Sequence, residues 1–441
     1  MGYKIKCDRG VGGILTRILI ACFLVSVYFY FSASSDSFIA RRKPGKENTK
    51  NKNSKTPPIL SCDLKDIRSE VCEINSNVRI HSSSSSIFFS YNQPMDLETN
   101  KTWRVQPYTR KFDDLVMKSV RPVTIRPFYA YTEAPKCDLN HNITAVVFSS
   151  SSYLGNFYHD FSDVLLPLFI TARQFEGEVQ FLIADMQLWW VEKYKKILNQ
   201  LSNYEIIDSS KEKQVHCYPS AIVGLYSHGE LTVDPSRTPN SYSMLDFARL
   251  IRRAYFLDRD FAKNLAAGGK TKPRLLIIAR NQTRKIVNVG EVVAMGDELG
   301  FEVVVSDPAS HTTVDGIARL VNSIDVMIGV HGAGLTNQIF LPTNAVLIQI
   351  VPFGNLEKFA EYDYGFAAKN MMLQYLQYSI SEEESTLIDI YPRDHPVFRD
   401  PKSIHRQGWA KIDEIYLRQQ SVKLNLPRFR PVLKRALELL T

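Results

Sequence analysis

The sequence predicts an α/β protein with parallel sheets covered by helices, preceded by one membrane-spanning helix. Strand and helix patterns alternate from about residue 145 to about residue 350. In the second half the apolar runs are continuous, as in strands buried on both faces of a parallel sheet. Residues 18–35 contain no charged side chain, and a run of this length is near the minimum for crossing a bilayer. With 441 residues, the chain can form two domains.

The N-terminal segment has the pattern of a membrane anchor. Arg17 can extend its charged head to the lipid headgroups, and the basic residues before it favour a cytoplasmic N-terminus. We expect a cytoplasmic tail (residues 1–13), a transmembrane signal-anchor (residues 14–35) and a lumenal remainder. A cleaved signal peptide is the alternative, because the small residues at positions 32–34 fit a cleavage site.

The net charge of +8 is carried entirely by residues 1–58. Residues 36–58 are rich in Lys, Asn, Ser and Pro and contain too few apolar residues to fold, so we expect a disordered stem there. The rest of the chain is neutral overall. It therefore has no electrostatic reason to bind a phosphate backbone, and we do not expect nucleic acid as a partner.

Four cysteines follow the apolar segment: Cys62, Cys72, Cys137 and Cys217. None of them has the close paired spacing of a zinc site. In an oxidising lumen an even set of this size predicts two disulfides, with four buried thiols as the alternative.

Three triplets fit the pattern for N-glycosylation, and they begin at Asn100, Asn142 and Asn281. Such triplets also occur by chance. They support a lumenal location only weakly.

The first half, residues 59–265, is predicted to form an N-terminal domain on the acceptor side. Before residue 135 the pattern is irregular, with short β-like stretches and many prolines. Apolar runs then predict strands at residues 145–148, 180–184, 204–207 and 221–224. Apolar residues at helical spacing predict helices at residues 156–172, 187–201 and 241–264.

The second half, residues 266–441, begins with a linker at residues 266–273 and is predicted to bind a nucleotide-sugar. Its predicted strands lie at residues 274–279, 301–305, 325–329 and 345–350. Its predicted helices lie at residues 289–299, 313–323 and 334–341. Repeated β-α-β units of this kind predict a parallel sheet with helices on both sides.

The most informative stretch is the glycine turn Gly329-Val-His-Gly-Ala-Gly-Leu-Thr-Asn337, between a buried strand and a helix. Gly332 and Gly334 let a ligand approach the backbone, and the helix start presents free N–H groups, which favours a diphosphate site. His331, Thr336 and Asn337 can add hydrogen bonds to the ligand. The alternative is a tight turn whose glycines serve packing and whose histidine pins the backbone.

A basic loop, Ala279-Arg-Asn-Gln-Thr-Arg-Lys285, follows the first strand of the same half. Because ligands of open α/β sheets bind at the carboxyl edge, Arg280, Arg284 and Lys285 are expected to face the glycine turn. Three cations there would neutralise a leaving diphosphate. The alternative is a solvated basic loop. No Asp-x-Asp triplet follows a strand in this half, so we predict no metal ion.

A third cluster, within Gly155-Asn-Phe-Tyr-His-Asp-Phe-Ser-Asp163, follows a strand of the first half. His159 or Asp160 could be the base that removes a proton from an acceptor hydroxyl, and Asp163 could contact the acceptor. The alternative is that the two carboxylates only stabilise the start of a helix.

These three stretches, in this order, resemble glycosyltransferase family 61 of plants over most of residues 60–430. The resemblance implies a GT-B-like architecture, in which two Rossmann-like domains with parallel sheets face a cleft and the C-terminal domain binds the donor. It also implies a type II Golgi membrane protein that inverts the anomeric centre. Tyr362 and Asp363 lie in a stretch that resembles the C-terminal region of the family, where they could face the acceptor.

The predicted function is an inverting glycosyltransferase of the Golgi lumen that transfers a pentose from a UDP-sugar to xylan. Xylose and arabinofuranose are both open as the pentose, and the UDP-sugar is a co-substrate, with no other cofactor expected. The alternatives are a β-1,2-xylosyltransferase acting on N-glycan cores and a non-catalytic lumenal scaffold of the same fold. The linkage and any homo- or hetero-oligomer are left open.

Overall fold

The structure is a computed structural model, and it describes residues 58–91, 101–150, 153–267, 271–307 and 313–441. The predicted tail, anchor and nearly all of the stem lie outside the described residues, as does Asn100. Within the described ranges, no helix combines the length and apolarity that a bilayer crossing requires.

The second half of the chain contains one sheet of parallel strands. Its members are β13 (Arg274–Ile278), β14 (Glu302–Ser306), β15 (Val326–Val330), β16 (Val346–Val351) and β17 (Gln374–Ser379), in the spatial order β14-β13-β15-β16-β17. The residues of β15 and β16 are all buried, as continuous apolar runs predict. The first four strands were predicted, and they are confirmed; β17, which alternates polar and aromatic residues, was not predicted.

The chain order reverses at β13, which pairs with β14 on one side and β15 on the other. The loops that follow β13 and β15 therefore leave the sheet side by side at its carboxyl edge. This is the place where open α/β sheets bind their ligands.

Helices cover this sheet, and the predicted ones are confirmed to within a few residues. They are Val289–Glu298, Val314–Asn322, Glu357–Ala360, Phe366–Asn370, Pro396–Arg399, Pro401–His405, Trp409–Ile412 and Leu426–Glu438, with a 3-10 segment at Ala333–Phe340. Two wider π-helical segments occur at Glu361–Gly365 and Asp413–Arg418. Local sequence sets their starts; for example, the Thr313 side chain accepts a hydrogen bond from the N–H of Gly316.

The first half contains two mixed sheets, so the expectation of a parallel sheet there is only partly right. The first sheet runs β1-β2-β12-β8-β9-β10, and its strands are β1 (Leu60–Asp63), β2 (Val71–Ile74), β8 (Thr144–Phe148), β9 (Val179–Ile183), β10 (Ile207–Asp208) and β12 (Ser220–Val223). Strands β12, β8, β9 and β10 are parallel. The antiparallel pair β1 and β2 extends one edge, because short connections allow antiparallel pairing.

The second sheet runs β5-β6-β4-β3-β11-β7 and is mainly antiparallel. Its strands are β3 (Val78–His81), β4 (Ser86–Ser90), β5 (Trp103–Val105), β6 (Val123–Phe128), β7 (Leu139–Asn140) and β11 (Val215–Tyr218). It accounts for most of the region whose sequence pattern is irregular.

The helices of the first half follow the predictions, except that the first predicted helix contains a π-helical segment and the last one ends earlier. They are Asp114–Met117, Phe157–His159, Leu166–Ala172, Leu188–Leu198 and Met244–Tyr255, with a π-helical segment at Asp160–Leu165 that joins the second and third of them. The helix predicted to reach residue 264 ends at Tyr255, because Phe256 adopts a left-handed conformation with φ of 52°. Single-turn π segments are frequent at functional sites.

The two halves share one apolar core. Phe161 and Phe247 of the first half lie in the same buried cluster as Phe340 and Leu347 of the second, and the rings of Phe161 and Phe340 are 6.3 Å apart. Residues 57–441 form one compact unit. The division into two domains at residue 266 therefore stays a prediction.

Two disulfides are present, as predicted. Cys62 and Cys72 are joined across β1 and β2, and Cys137 is joined to Cys217 of β11 across 80 residues. The second bond links distant parts of the chain and is the stronger constraint on the unfolded state.

Removing the Cys137–Cys217 disulfide, through Cys137→Ala with Cys217→Ala, is expected to lower the free energy of unfolding by about 4.5 kcal/mol. Removing Cys62–Cys72 in the same way is expected to cost about 2.7 kcal/mol, because the closed loop is shorter. Urea titrations of the two double variants test this order. Equal losses, or the reverse order, would contradict it.

Candidate active site

Two arginines meet at the glycine turn. Gly332 has φ of 139°, and a Cβ added to it would lie 2.5 Å from Nη1 of Arg280 and 2.8 Å from Nη1 of Arg284. Glycine is therefore required by both the backbone angle and the close approach of the two guanidinium groups. The loops after β13 and β15 converge on one point, as the sequence predicts.

Neither guanidinium has an acidic partner: among the described residues, no carboxylate lies within ion-pair distance of Arg280 or Arg284. Arg284 donates from Nη1 to the carbonyl of His331 at 3.0 Å, and its Nε is buried without a partner. Burial, with the neighbouring charge of Arg280, lowers the pKa of Arg284 to about 10. Two partly buried cations side by side are costly without an anion, so the pair is arranged to receive one.

His331 is buried in the turn with a fixed tautomer. The hydroxyl of Tyr375 donates to Oε1 of Gln349 at 2.8 Å, which leaves Nε2 of Gln349 to donate to Nδ1 of His331 at 2.8 Å. The hydrogen of the imidazole is then on Nε2, which lies 3.7 Å from Oδ2 of Asp363. Burial and the charges of Arg284 and Arg280 lower the pKa of His331 to about 3, so the ring is neutral.

A cavity of about 730 Å³ opens beside the turn. The first half contributes Gly155, Phe157 and Lys193 to its lining, and the second half contributes Arg280, Asp307 and Asn337. A space of this volume, lined by both halves, is of the size that small-molecule ligands occupy. The crevice between the halves is therefore open.

The other residues predicted for this site, Thr336, Asn337 and Lys285, differ in burial and in whether they line the cavity. Asn337 lines the cavity, and its Oδ1 is a buried acceptor without a partner. Thr336 is fully buried, and its hydroxyl lies beside that of Tyr364. Lys285 is exposed, and its main chain pairs with Val422, so only the two arginines are seen to meet at Gly332.

The third predicted cluster contains a histidine–carboxylate pair. Nδ1 of His159 lies 2.7 Å from Oδ2 of Asp163, and because a carboxylate only accepts, Nδ1 carries the hydrogen. Asp163 is fully buried and also accepts from Tyr108 at 2.9 Å and Arg110 at 3.2 Å. Nε2 of His159 is left as an acceptor, which is the state a general base needs.

Asp160, in contrast, is surrounded by donors. It is fully buried and accepts four hydrogen bonds, from the N–H of Gly155, Nε1 of Trp190, Nζ of Lys193 and the hydroxyl of Tyr194. Both carboxylate oxygens of Asp160 are therefore occupied by donors, whereas Nε2 of His159 is left as an acceptor. This favours His159 as the base, and the assignment stays a prediction.

A buried ionic cluster lies next to His159 and was missed by the sequence analysis. Glu230 accepts from Arg68 at 3.1 Å, from Tyr158 at 2.8 Å and from Ser162 at 2.8 Å. Arg110 lies between Glu230 and Asp163, at 3.5 and 3.2 Å. Arg68, Arg110 and Glu230 come from loops far apart in the sequence, and no local pattern marks them.

Asp363 joins this cluster from the second half of the chain. It is buried in a π-helical segment, and burial, with the charge of Glu230, raises its pKa well above the ordinary range. The neighbouring Tyr362 is exposed. The two residues predicted to face an acceptor thus differ: Asp363 points into the site and Tyr362 lies at its surface.

Two of the predicted glycosylation sites lie among the described residues. Asn142 is exposed, as a glycan requires. Asn281 lines the 730 Å³ cavity, so a glycan there would obstruct it. Asn281 is exposed as well, and both glycosylation sites stay predictions.

Substituting Gly332→Ala is expected to reduce activity more than 100-fold, because the added methyl group would displace both guanidinium groups and strain the backbone by about 1–3 kcal/mol. Activity and melting temperature of the variant should be measured together. Gly300→Ala is the control, since it has φ of 97° but open space around it. A fully active Gly332→Ala variant would contradict the close approach of the arginines.

Comparisons with known proteins match most of the chain. Residues 157–348 match the family described as Glycosyltransferase 61. An alpha-1,3-arabinosyltransferase of Oryza sativa subsp. japonica is 45% identical over 94% of this chain and 70% of its own length. A beta-1,2-xylosyltransferase of the same plant is 46% identical over 87% and 85%, and a xylan glycosyltransferase of Arabidopsis thaliana is 36% identical over 94% and 86%.

Proposed function

The chain belongs to glycosyltransferase family 61, and we propose that it transfers a pentose, xylose or arabinofuranose, from a UDP-sugar to xylan with inversion. It is a glycosyltransferase, as the motif resemblance implied. The names of the relatives, an arabinosyltransferase, a xylosyltransferase and a xylan glycosyltransferase, support the pentose and the acceptor.

The donor is proposed to bind across the carboxyl edge of the second-half sheet. The uridine occupies the cavity lined by Asp307 and Asn337, and the diphosphate lies against Arg280, Arg284 and the helix that begins after Gly332. Two buried guanidinium groups and free N–H groups at a helix start are well suited to a diphosphate. The halves then act as the two Rossmann-like domains of a GT-B-like enzyme, with the cleft between them.

The proposed reaction is a single displacement. The acceptor hydroxyl attacks C1 of the pentose from the face opposite the diphosphate, and its proton passes to Nε2 of His159. The C1–O bond to UDP breaks as the new C1–O bond forms, which inverts the anomeric centre. Asp163 stabilises the imidazolium, and the arginines stabilise the negative charge that develops on UDP.

The acceptor is proposed to approach from the side of Tyr362 and Asp363. The raised pKa of Asp363 favours the protonated carboxyl, which can donate a hydrogen bond to a sugar oxygen. No cofactor or metal ion is part of the proposal. The protein is proposed to act in the Golgi lumen as a single-pass type II membrane protein, and the uncharged N-terminal segment supports this.

One observation supports the function most directly: two guanidinium groups, which form no ion pair with any described residue, converge on the glycine turn beside an open cavity. The test is to incubate the full chain with UDP-xylose or UDP-arabinofuranose and three acceptors: xylo-oligosaccharide, an N-glycan core glycopeptide and water. We expect pentosyl-xylo-oligosaccharide of inverted configuration. Transfer only to the glycopeptide would replace the acceptor in the proposal, and no reaction with either donor would refute it.

A further inference from the structure

Two aromatic rings, Phe359 and Trp409, extend from the glycine turn toward the surface. The ring of Phe359 lies 4.9 Å from that of His331, centroid to centroid, and Trp409 lies 5.1 Å from Phe359. Phe359 is half-buried, whereas Trp409 is 54% exposed. We call Phe359 and Trp409 the aromatic pair.

The aromatic pair lies on the other side of the turn from the cavity. The cavity is built at the ends of β13, β14 and β15, whereas Phe359 follows β16, which is the next strand in the opposite direction. A ligand whose diphosphate binds at Gly332 and whose nucleoside fills the cavity would point its sugar end away from β14. That end faces the aromatic pair.

The segment that carries Trp409 is fixed beside the arginines. His405 approaches the carbonyl of Gly354 at 2.7 Å, and Gly354 packs so closely on Tyr416 that a Cβ there would lie 2.5 Å from its ring. The charge of Asp413 raises the pKa of Arg284 and the charge of Arg418 lowers it, so the segment that follows Trp409 lies close to this arginine. Trp409 is therefore held near the diphosphate site although 77 residues separate it from Gly332 in sequence.

A single exposed tryptophan needs no explanation in general, but this one is connected to His331 by two tilted ring contacts, through Phe359. The broad indole face can pack against the C–H groups of a flat sugar ring by dispersion. A neutral saccharide fits better than a second nucleotide, because the unpaired cations that would hold phosphate are at Gly332 and not at Trp409.

We propose that Trp409, supported by Phe359, binds a sugar ring of the acceptor chain next to the unit that is glycosylated. This rests on the proposed function. The donor pentose is bonded to the diphosphate and must therefore lie beside His331, closer to the glycine turn than Trp409. The indole of Trp409 is thus left for a sugar ring of the acceptor. Trp409 is thus a positioning residue for the acceptor.

The experiment compares Trp409→Ala, Trp409→Phe and the control Phe256→Ala in the full chain. Phe256 is 75% exposed and lines a groove with Thr343, at the opposite edge of the second-half sheet. Transfer to xylo-oligosaccharides of two to eight units gives KM for acceptor and donor, and hydrolysis of the UDP-sugar without acceptor gives a second readout of the donor site. Melting temperatures report folding.

We expect Trp409→Ala to raise the acceptor KM about 10-fold or more, with donor KM and UDP-sugar hydrolysis unchanged, and Trp409→Phe to restore most of the loss. Phe256→Ala should match the parent. An unchanged acceptor KM, or a rise in donor KM of the same size, would overturn the proposal.

A binding measurement separates this inference from the proposed function. Xylo-oligosaccharide is expected to quench the tryptophan fluorescence of the parent, and the quenching should disappear in Trp409→Phe. Quenching without any transfer would support the aromatic pair as a sugar site and refute the proposed activity. Transfer with quenching retained in Trp409→Phe would support the proposed activity and refute the aromatic pair as a sugar site.

Discussion

Substituting Arg284→Ala is expected to lower the rate of pentose transfer by about 10³-fold. The lost guanidinium is one of two that meet at Gly332, and removing one donor from a buried anion site typically costs this much. Most of the loss should appear in kcat if the arginine acts on the charge that develops as UDP leaves. Steady-state kinetics with varied donor, together with calorimetric binding of UDP, would separate the loss in kcat from any loss of affinity for UDP.

Lys285→Ala is the matched control, because it removes a cation from the next residue along the chain. Lys285 is exposed, so its loss is expected to change the rate less than twofold. Equal losses for the two variants would mean that the basic loop acts through its general charge. That outcome would contradict a specific site at Gly332.

His159→Ala is expected to reduce kcat by about 10²–10⁴-fold while leaving the affinity for UDP unchanged. The imidazole is the only group of the Asp163 pair with a free acceptor atom, so its removal leaves the acceptor hydroxyl without a base. Steady-state kinetics of transfer, together with calorimetric binding of UDP, would test both expectations.

His81→Ala serves as the control, since His81 belongs to β3 in the second sheet and forms hydrogen bonds with the neighbouring Ser83 and Ser84. Near-parental activity in His159→Ala would rule out the histidine as the base.

The sequence predicted the second half well because its signals are local. Strands buried on both faces give continuous apolar runs, and the Gly332 turn shows its glycines in the sequence. The meeting of Arg280 with Gly332 also followed from local signals, because parallel strands place successive loops at one edge.

The first half was predicted less well because its organisation depends on distant pairs. Strand β3 pairs with β11 more than 130 residues later, and Arg68 reaches Glu230 across a similar distance. Neither contact leaves a periodic signal. The choice between His159 and Asp160 depended on the same kind of information, since Trp190 and Tyr194, which fill the bonds of Asp160, come from another helix.

The chain of bonds from Tyr375 through Gln349 to His331 has a consequence for where the protein can work. With its pKa lowered to about 3, His331 does not titrate in any compartment of the secretory route, and neither arginine loses its proton there. The charge that meets the nucleotide is therefore constant from neutral to mildly acidic organelles. We therefore expect the affinity for the proposed donor to be independent of pH over this range.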